Sequence, residues 1–84
     1  MVRVVYLARL REAFGIKSED WPLDGTSTTV ASLLDALRAR GGVWADELAP
    51  GRAVRVAVNH TVAQSASTIA PGDEVALLPP VTGG

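Results

Sequence analysis

The residues with the clearest potential for chemistry stand at the end of the chain, where a hydrophobic stretch meets two prolines and two glycines. This segment reads Leu77-Leu78-Pro79-Pro80-Val81-Thr82-Gly83-Gly84. Proline fixes the backbone φ angle and lacks an N–H, so the two prolines are expected to end strand pairing and keep the tail extended. Gly83 and Gly84 lack side chains and can enter a narrow channel. We expect a free carboxylate at Gly84 that a partner protein can activate, although a frayed terminus is the plain alternative.

The rest of the sequence does not predict a self-contained catalytic centre. It contains no cysteine, and its one histidine, His60, lies in a predicted turn. The acidic residues occur as adjacent pairs, whose side chains would face opposite ways in a strand and make poor acid–base pairs. The glycines follow neither the phosphate-loop nor the dinucleotide-binding pattern. No metal site is expected, and the carboxylate of Gly84 remains the best candidate for the working group.

Composition limits the class of protein. With 84 residues the chain is expected to form one small domain, and its formal net charge of −1 gives no reason to expect nucleic acid as a partner. No apolar run approaches the length of about 20 residues that spans a bilayer, and no signal peptide is recognisable. We therefore expect a cytoplasmic protein that does not bind membranes.

The opening segment, residues 2–8, is rich in β-branched and aromatic residues and predicts a strand. Its period of two gives one core face and a mixed second face, on which Val5 and Leu7 stand between arginines. The core face is predicted to comprise Val2, Val4, Tyr6 and Ala8. A helical turn over residues 10–14 and a weaker strand over residues 17–23 should follow, and Pro22 indicates an edge position for this second strand.

The clearest helix comes next. Its apolar face is predicted to consist of Val30, Leu33, Leu34 and Leu37. Thr29 is a suitable N-cap. Arg38 and Arg40 are predicted to lie in the last turn, where the helix dipole favours cations, and Gly41 and Gly42 to end the helix.

The second half predicts one more helical turn and three strands. The turn covers residues 43–48 with Trp44 as a hydrophobic plug, and the strands cover residues 54–58, 61–63 and 74–78. The order β-β-α-β-β-β with one main helix predicts a two-layer α+β domain, a β-grasp or ubiquitin-like roll with a mixed sheet of about five strands. Residues 1–78 would form this single domain, and residues 79–84 an extended tail.

The face of the sheet turned away from the helix is predicted to carry apolar side chains. By alternation these are Val5, Leu7, Val62 and Leu78. If they cluster, they form an exposed apolar patch beside the point where the tail leaves, and such patches often mark partner surfaces. Scattered apolar residues on a surface are also common, which is the alternative.

Nearly the whole chain resembles the small subunits of molybdopterin synthase, the MoaD-type sulfur carriers. The similarity is carried by residues 8–12, the helix start at Thr29-Val30, residues 57–62, and above all residues 71–75 together with 79–84. The resemblance implies a carrier subunit whose catalytic residues lie in a large partner subunit, with two copies of each in a heterotetramer.

The resemblance also implies a mechanism. A ubiquitin-activating-like adenylyltransferase uses ATP to adenylate the carboxylate of Gly84, and a sulfur donor protein converts the adenylate to a thiocarboxylate. The tail then enters the large subunit and delivers sulfur to precursor Z, cyclic pyranopterin monophosphate. ATP is used only during activation, and no permanently bound cofactor is expected. Gly83 and Gly84 would form the catalytic end of the tail. The large subunit would be contacted by Leu7, Val62 and Leu78 and by the tail residues Pro79, Pro80, Val81 and Thr82, with Val81 as the anchor of the tail.

Two other functions remain open from the sequence. A thiazole-pathway sulfur carrier also ends in two glycines on this fold. A ubiquitin-like modifier or a passive interaction domain would use the same tail for conjugation to lysines or not at all.

Overall fold

A computed structural model describes residues 1–23, 25 and 27–79 of the chain. These residues form seven strands and three helices in the order β1, α1, β2, β3, α2, α3, β4, β5, β6 and β7. Their bounds are Val2–Tyr6, Arg9–Phe14, Ser18–Trp21, Thr28–Thr29, Val30–Arg38, Gly42–Glu47, Arg55–Val58, Thr61–Ala63, Thr68–Ile69 and Glu74–Leu78. Within the described ranges, no helix is long and apolar enough to cross a membrane.

Five strands make one mixed sheet in the order β2-β1-β7-β4-β5. The first and last strands, β1 and β7, lie side by side and parallel at its middle, and the other neighbours are antiparallel. The strand β2 lies at one edge of the sheet, which confirms the edge position that was predicted from Pro22. The predicted α+β architecture with a mixed five-stranded sheet is confirmed, and it places the end of β7 at the centre of the sheet.

The main helix α2 covers one face of this sheet. The hydroxyl Oγ1 of Thr29 accepts a hydrogen bond from the backbone N–H of Ser32 at 3.2 Å, which confirms the predicted N-cap. The predicted C-terminal end is wrong, because the helix ends at Arg38 and Arg40 lies beyond it. Gly41 is instead the N-cap of α3, with φ of 77°, a conformation that glycine adopts without a steric cost.

A single core fills the space between α2 and the sheet. Its buried members are Val2, Val4, Tyr6, Leu10, Val30, Leu33, Leu37, Leu48, Val56, Ile69, Val75 and Leu77. Alternation along β1 and β7 therefore gave the correct inward face for both strands, and Leu34 and Trp44 pack against this core as partly buried residues.

The prediction that Ala8 belongs to the core is wrong. The strand β1 stops at Tyr6, and Ala8 is an exposed residue with φ of 50° and ψ of −126° at the start of α1. The carbonyl of Leu7 accepts a hydrogen bond from the N–H of Leu10 at 3.1 Å, which closes a tight turn around Ala8. A positive φ is strained for alanine, and the turn leaves Leu7 at the end of the sheet.

A second, two-stranded sheet was not predicted. It pairs β3 with β6, with Thr28 opposite Ile69 and Thr29 opposite Thr68. A strand of two residues is too short to show the alternation of apolar and polar side chains, so the sequence did not predict β3 and β6. The pairing brings Ile69 into the core and holds the segment before β7 against the start of α2.

Candidate functional site

The sheet face opposite α2 carries a continuous row of small and apolar side chains. Val5 of β1 is paired with Ala76 of β7, Ala76 with Ala57 of β4, and Ala57 with Val62 of β5. Paired residues in neighbouring strands project to the same face. The two valines thus belong to one row that crosses four strands, connected by alanines that keep the surface flat.

A second row lies closer to the end of β7. Leu7 and Leu78 follow Val5 and Ala76 by two residues, and the N–H of Leu7 donates to the carbonyl of Leu77 at 3.1 Å. Leu78 is in turn paired with Arg55 of β4. Side chains two residues apart along a strand share a face, so the predicted patch is one surface. We call it the outer strip: Val5, Leu7, Ala57, Val62, Ala76 and Leu78.

The outer strip is partly exposed to solvent. Val62 exposes 80% of its surface and Leu7 exposes 36%, whereas Leu78 is half-buried. Large apolar side chains gathered on one solvent-facing sheet surface are typical of an interface with another molecule. The strip thus gathers Leu7, Val62 and Leu78 on one surface, and their role in partner binding stays a prediction.

The tail begins beside this strip. The strand β7 ends at Leu78, and the half-buried Pro79 follows it. The chain therefore leaves the sheet from its central strand, next to the second row of the strip. Pro80, Val81, Thr82, Gly83 and Gly84 lie outside the described residues, so their predicted roles stay predictions.

A polar and aromatic cluster at the β2 end of the sheet was not predicted. The hydroxyl of Tyr6 donates to Oε2 of Glu19 at 2.6 Å, and the guanidinium of Arg40 donates to both oxygens of Glu19 at 2.7 and 2.8 Å. The guanidinium also lies 4.4 Å from the ring centroid of Trp44, a cation–π contact. Because Arg40 follows α2 and Trp44 belongs to α3, this cluster ties the helical layer to β1 and β2.

The ionisation of this cluster follows from its contacts. The hydrogen bonds from Arg40 are the main reason that the pKa of Glu19 lies below its ordinary value, while burial opposes this shift and the bond from Tyr6 supports it. Burial, followed by the hydrogen bond to Glu19, raises the pKa of Tyr6 far above its ordinary value. Tyr6 therefore stays a neutral donor and Glu19 a carboxylate at neutral pH, an arrangement suited to holding the fold together.

Glu19→Gln should destabilise the domain in a pH-dependent way. The depressed pKa of Glu19 in the folded chain means that its ionisation stabilises the fold above the unfolded pKa of about 4.3, and that this stability is lost as the pH falls through the folded pKa. We expect the substitution to lower the free energy of unfolding at pH 7 by about 1–2 kcal/mol and to flatten its decline below pH 5. Urea titrations of both chains between pH 3 and 8 measure this. An unchanged acid limb would show that Glu19 is not the titrating group.

The single histidine lies in the predicted turn between β4 and β5. His60 has φ of 69° and Asn59 has φ of 51°, as a two-residue hairpin turn requires. The exposed ring of His60 places Nε2 at 3.6 Å from Oε1 of Glu74. In the part of the chain that the structure describes, no three potential ligands gather into a metal site.

The mixed five-stranded sheet under one main helix defines a ubiquitin-like β-grasp protein, as solved structures confirm. The chain matches the small archaeal modifier protein SAMP1 of Haloferax volcanii at a TM-score of 0.75 and 31% identity, over 99% of this chain and 98% of that one. It matches a putative molybdopterin converting factor, subunit 1, of Pyrococcus furiosus at a TM-score of 0.78 and 27% identity, over 95% and 97% of the two chains.

The sequence gives the family directly. The chain belongs to the ThiS family, which it matches over residues 4–84. It is 36% identical to the molybdopterin synthase sulfur carrier subunit of Escherichia coli and 34% identical to that of Haemophilus influenzae, over 100% of both chains in each case. The resemblance noted from the sequence motifs is thereby confirmed.

Proposed function

We propose that this chain is the sulfur carrier subunit of a molybdopterin synthase and carries its sulfur as a thiocarboxylate on Gly84. The observation that carries the proposal is the similarity, over the entire length, to two molybdopterin synthase sulfur carrier subunits. The geometry of the described residues supports it, because the central strand β7 leads into the tail beside an exposed apolar strip.

The chemistry begins with activation of the tail. A carboxylate is a poor acyl electrophile, since its leaving group would be an oxide. The carboxylate oxygen of Gly84 attacks the α-phosphorus of ATP on a ubiquitin-activating-like adenylyltransferase, and pyrophosphate leaves. The resulting acyl-adenylate has AMP as a good leaving group, so a hydrosulfide equivalent from a sulfur donor protein can replace it. The product is the thiocarboxylate, with AMP released.

The second stage takes place in the large subunit of the synthase. The thiocarboxylate on Gly84 enters its active site, and its sulfur replaces an oxygen substituent of precursor Z. Water then cleaves the bond between the sulfur and the carbonyl carbon of Gly84, so that the sulfur stays on the precursor and Gly84 returns as a carboxylate. Two such transfers complete the dithiolene. Groups that position the precursor and move protons belong to the large subunit, because the chain itself has no cysteine and one histidine. Two copies of each subunit would make the heterotetramer, with Val81 anchoring each tail.

The outer strip supplies the docking surface in this proposal. Leu7, Val62 and Leu78 would pack on the large subunit, so that the sheet forms a rigid base for the tail. A base of this kind lowers the entropy that is lost when the tail is held in a channel. Pro79 and Pro80 would stiffen the tail further.

Intact mass spectrometry tests the carrier role. After incubation with ATP, the activating enzyme and a sulfur donor, the chain should gain the mass of one oxygen-to-sulfur exchange, located at Gly84 by fragmentation. Oxidation of Met1, the single methionine, adds nearly the same mass, so iodoacetamide labelling provides the discriminating readout. Because the chain has no cysteine, alkylation located at the C-terminus reports the thiocarboxylate without competition from a thiol side chain.

The control omits ATP and should give an unmodified, unlabelled chain. An unmodified chain in the complete reaction, with an activating enzyme competent on another carrier, contradicts the carrier role. If the thiocarboxylate forms, conversion of precursor Z by the chain with the large subunit then assigns the pathway. Capture of a thiazole synthase in place of the large subunit would assign the thiazole pathway.

A protein-modifier function is the second candidate, and the likeness to SAMP1 favours it. In that case the activated Gly84 would be transferred to the ε-amino group of a lysine on another protein, releasing AMP. Isopeptide-linked remnants of this tail on cellular proteins would support the modifier function. Their absence, together with the thiocarboxylate, would support the carrier function.

A further inference from the structure

The sheet face that carries the outer strip is electrostatically uneven. At the end near the start of β1, Arg3 is paired with Asp20 on one side and with Glu74 on the other. These three side chains share the face in one row across β2, β1 and β7. Arg3 therefore has a carboxylate residue as its neighbour on each side of its own row.

The opposite end of the same face, where β7 leads into the tail, is positively charged. Arg11 and Lys17 line a shallow cavity of about 260 Å³ together with Val5 and Leu7, and Arg3 and Glu74 also line this cavity. On the other side of Leu78, Arg55 of β4 is its paired neighbour. All three cations are exposed, and they stand on both sides of the second row of the strip.

The arginine ion pairs among the described residues lie elsewhere. Arg9 is paired with Glu47 at 2.9 Å, Arg40 with Glu19 at 2.7 Å, and Arg38 with Asp35. Within the described ranges, no carboxylate approaches Arg11, Lys17 or Arg55 to ion-pair distance. The cations around the tail exit are thus available to another molecule, whereas those on the helical side already serve the fold.

We propose that Arg11, Lys17 and Arg55 form a cationic rim that binds carboxylates of the large subunit around the opening that receives the tail. The inference rests on the proposed function. It assigns the large subunit an acidic margin at that opening, with apolar side chains in its centre that meet Leu7 and Leu78. Charges at the rim of an apolar contact raise the association rate and fix the orientation of the partners. Here they would align the tail with its channel before the apolar surfaces meet.

A protein surface fits this rim better than a nucleic acid does. The cations flank an apolar centre, and the face also carries Asp20 and Glu74, which would repel a phosphate backbone along its other end. The chain as a whole has a formal net charge of −1. Mixed apolar and charged surfaces of this kind are the usual make-up of protein interfaces.

Association kinetics with the purified large subunit test the rim. The double substitution Arg11→Gln with Arg55→Gln should lower the association rate constant roughly tenfold at low salt and weaken its dependence on ionic strength. The double substitution Ala31→Glu with Arg52→Gln, at exposed positions on α2 and in the loop before β4, changes the net charge by the same amount. We expect it to change the rate constant less than about twofold. Melting temperatures of all variants should remain close to that of the wild type.

The outcomes separate the rim from the proposed function. If the wild type binds and the Ala31→Glu, Arg52→Gln variant loses as much association rate as the Arg11→Gln, Arg55→Gln variant, the effect is due to total charge and the rim is overturned. A wild-type association rate that does not respond to salt would overturn it as well. A wild-type chain that does not bind the large subunit under any condition contradicts the proposed function, and the rim falls with it. In a charge-swap experiment, Arg11→Glu is combined with replacement of an acidic residue of the large subunit by lysine. Recovery of the association rate in this pair would support a direct charge contact.

Discussion

Deletion of Gly84 should abolish thiocarboxylate formation while the domain remains folded. Removing one residue withdraws the terminal carboxylate by about 3.5 Å from the place where ATP is attacked. A displacement of about 1 Å can already cost about 100-fold in rate when reacting atoms must be aligned, so the modified chain should fall below detection. The core consists of residues from Val2 to Leu77, so the melting temperature should not change.

The measurement combines the iodoacetamide assay with pyrophosphate release by the activating enzyme. A chain extended by one residue after Gly84 serves as the matched control, because it keeps both glycines and loses only their terminal position. Both variants should fail in both assays. If the truncated chain still supported molybdopterin synthesis, the carrier mechanism would be wrong.

The second prediction compares two adjacent leucines of β7 that face opposite sides of the sheet. Leu77 is fully buried, and Leu77→Ala should lower the free energy of unfolding by about 2–5 kcal/mol. For a domain of this size the melting temperature should fall by more than about 10 °C. Leu78 lies in the outer strip, half-buried, and Leu78→Asp should change the melting temperature by only a few degrees.

The loss of affinity for the large subunit should show the reverse order: it should be larger for Leu78→Asp than for Leu77→Ala. Leu78→Asp places a charge in the apolar centre of the proposed interface, where it would lose its water without gaining a partner. We expect the affinity for the large subunit to fall at least about tenfold, as for truncation of a central contact residue. Calorimetric titration at a temperature where both variants are folded measures the effect. Should Leu78→Asp unfold the chain while binding survives, the assignment of Leu78 to the outer surface would be wrong.

Local patterns were sufficient for much of the fold. The apolar spacing of α2, its cap at Thr29 and the strand β7 were predicted correctly, because each depends on residues that are close in sequence. The same is true of the alternation that assigned Leu77 to the core and Leu78 to the opposite face. The patterns failed where a segment was too short to repeat, as in β3 and β6, or where a tight turn ended a strand early, as at Ala8.

The sequence by itself determined the fold class, the inward and outward faces of the strands and the family, since alternation, helical spacing and the motifs at both ends are properties of contiguous residues. Only the tertiary structure decided which outward residues meet. The parallel pairing of β1 with β7 joins Val5 to Ala76, which lie far apart in sequence, and thereby unites the strip. The pairing of β4 with β7 places Arg55 beside Leu78, and the pairing of β1 with β2 brings Glu19 to Tyr6 and within reach of Arg40. Strand register and the packing of layers are set by the whole chain at once.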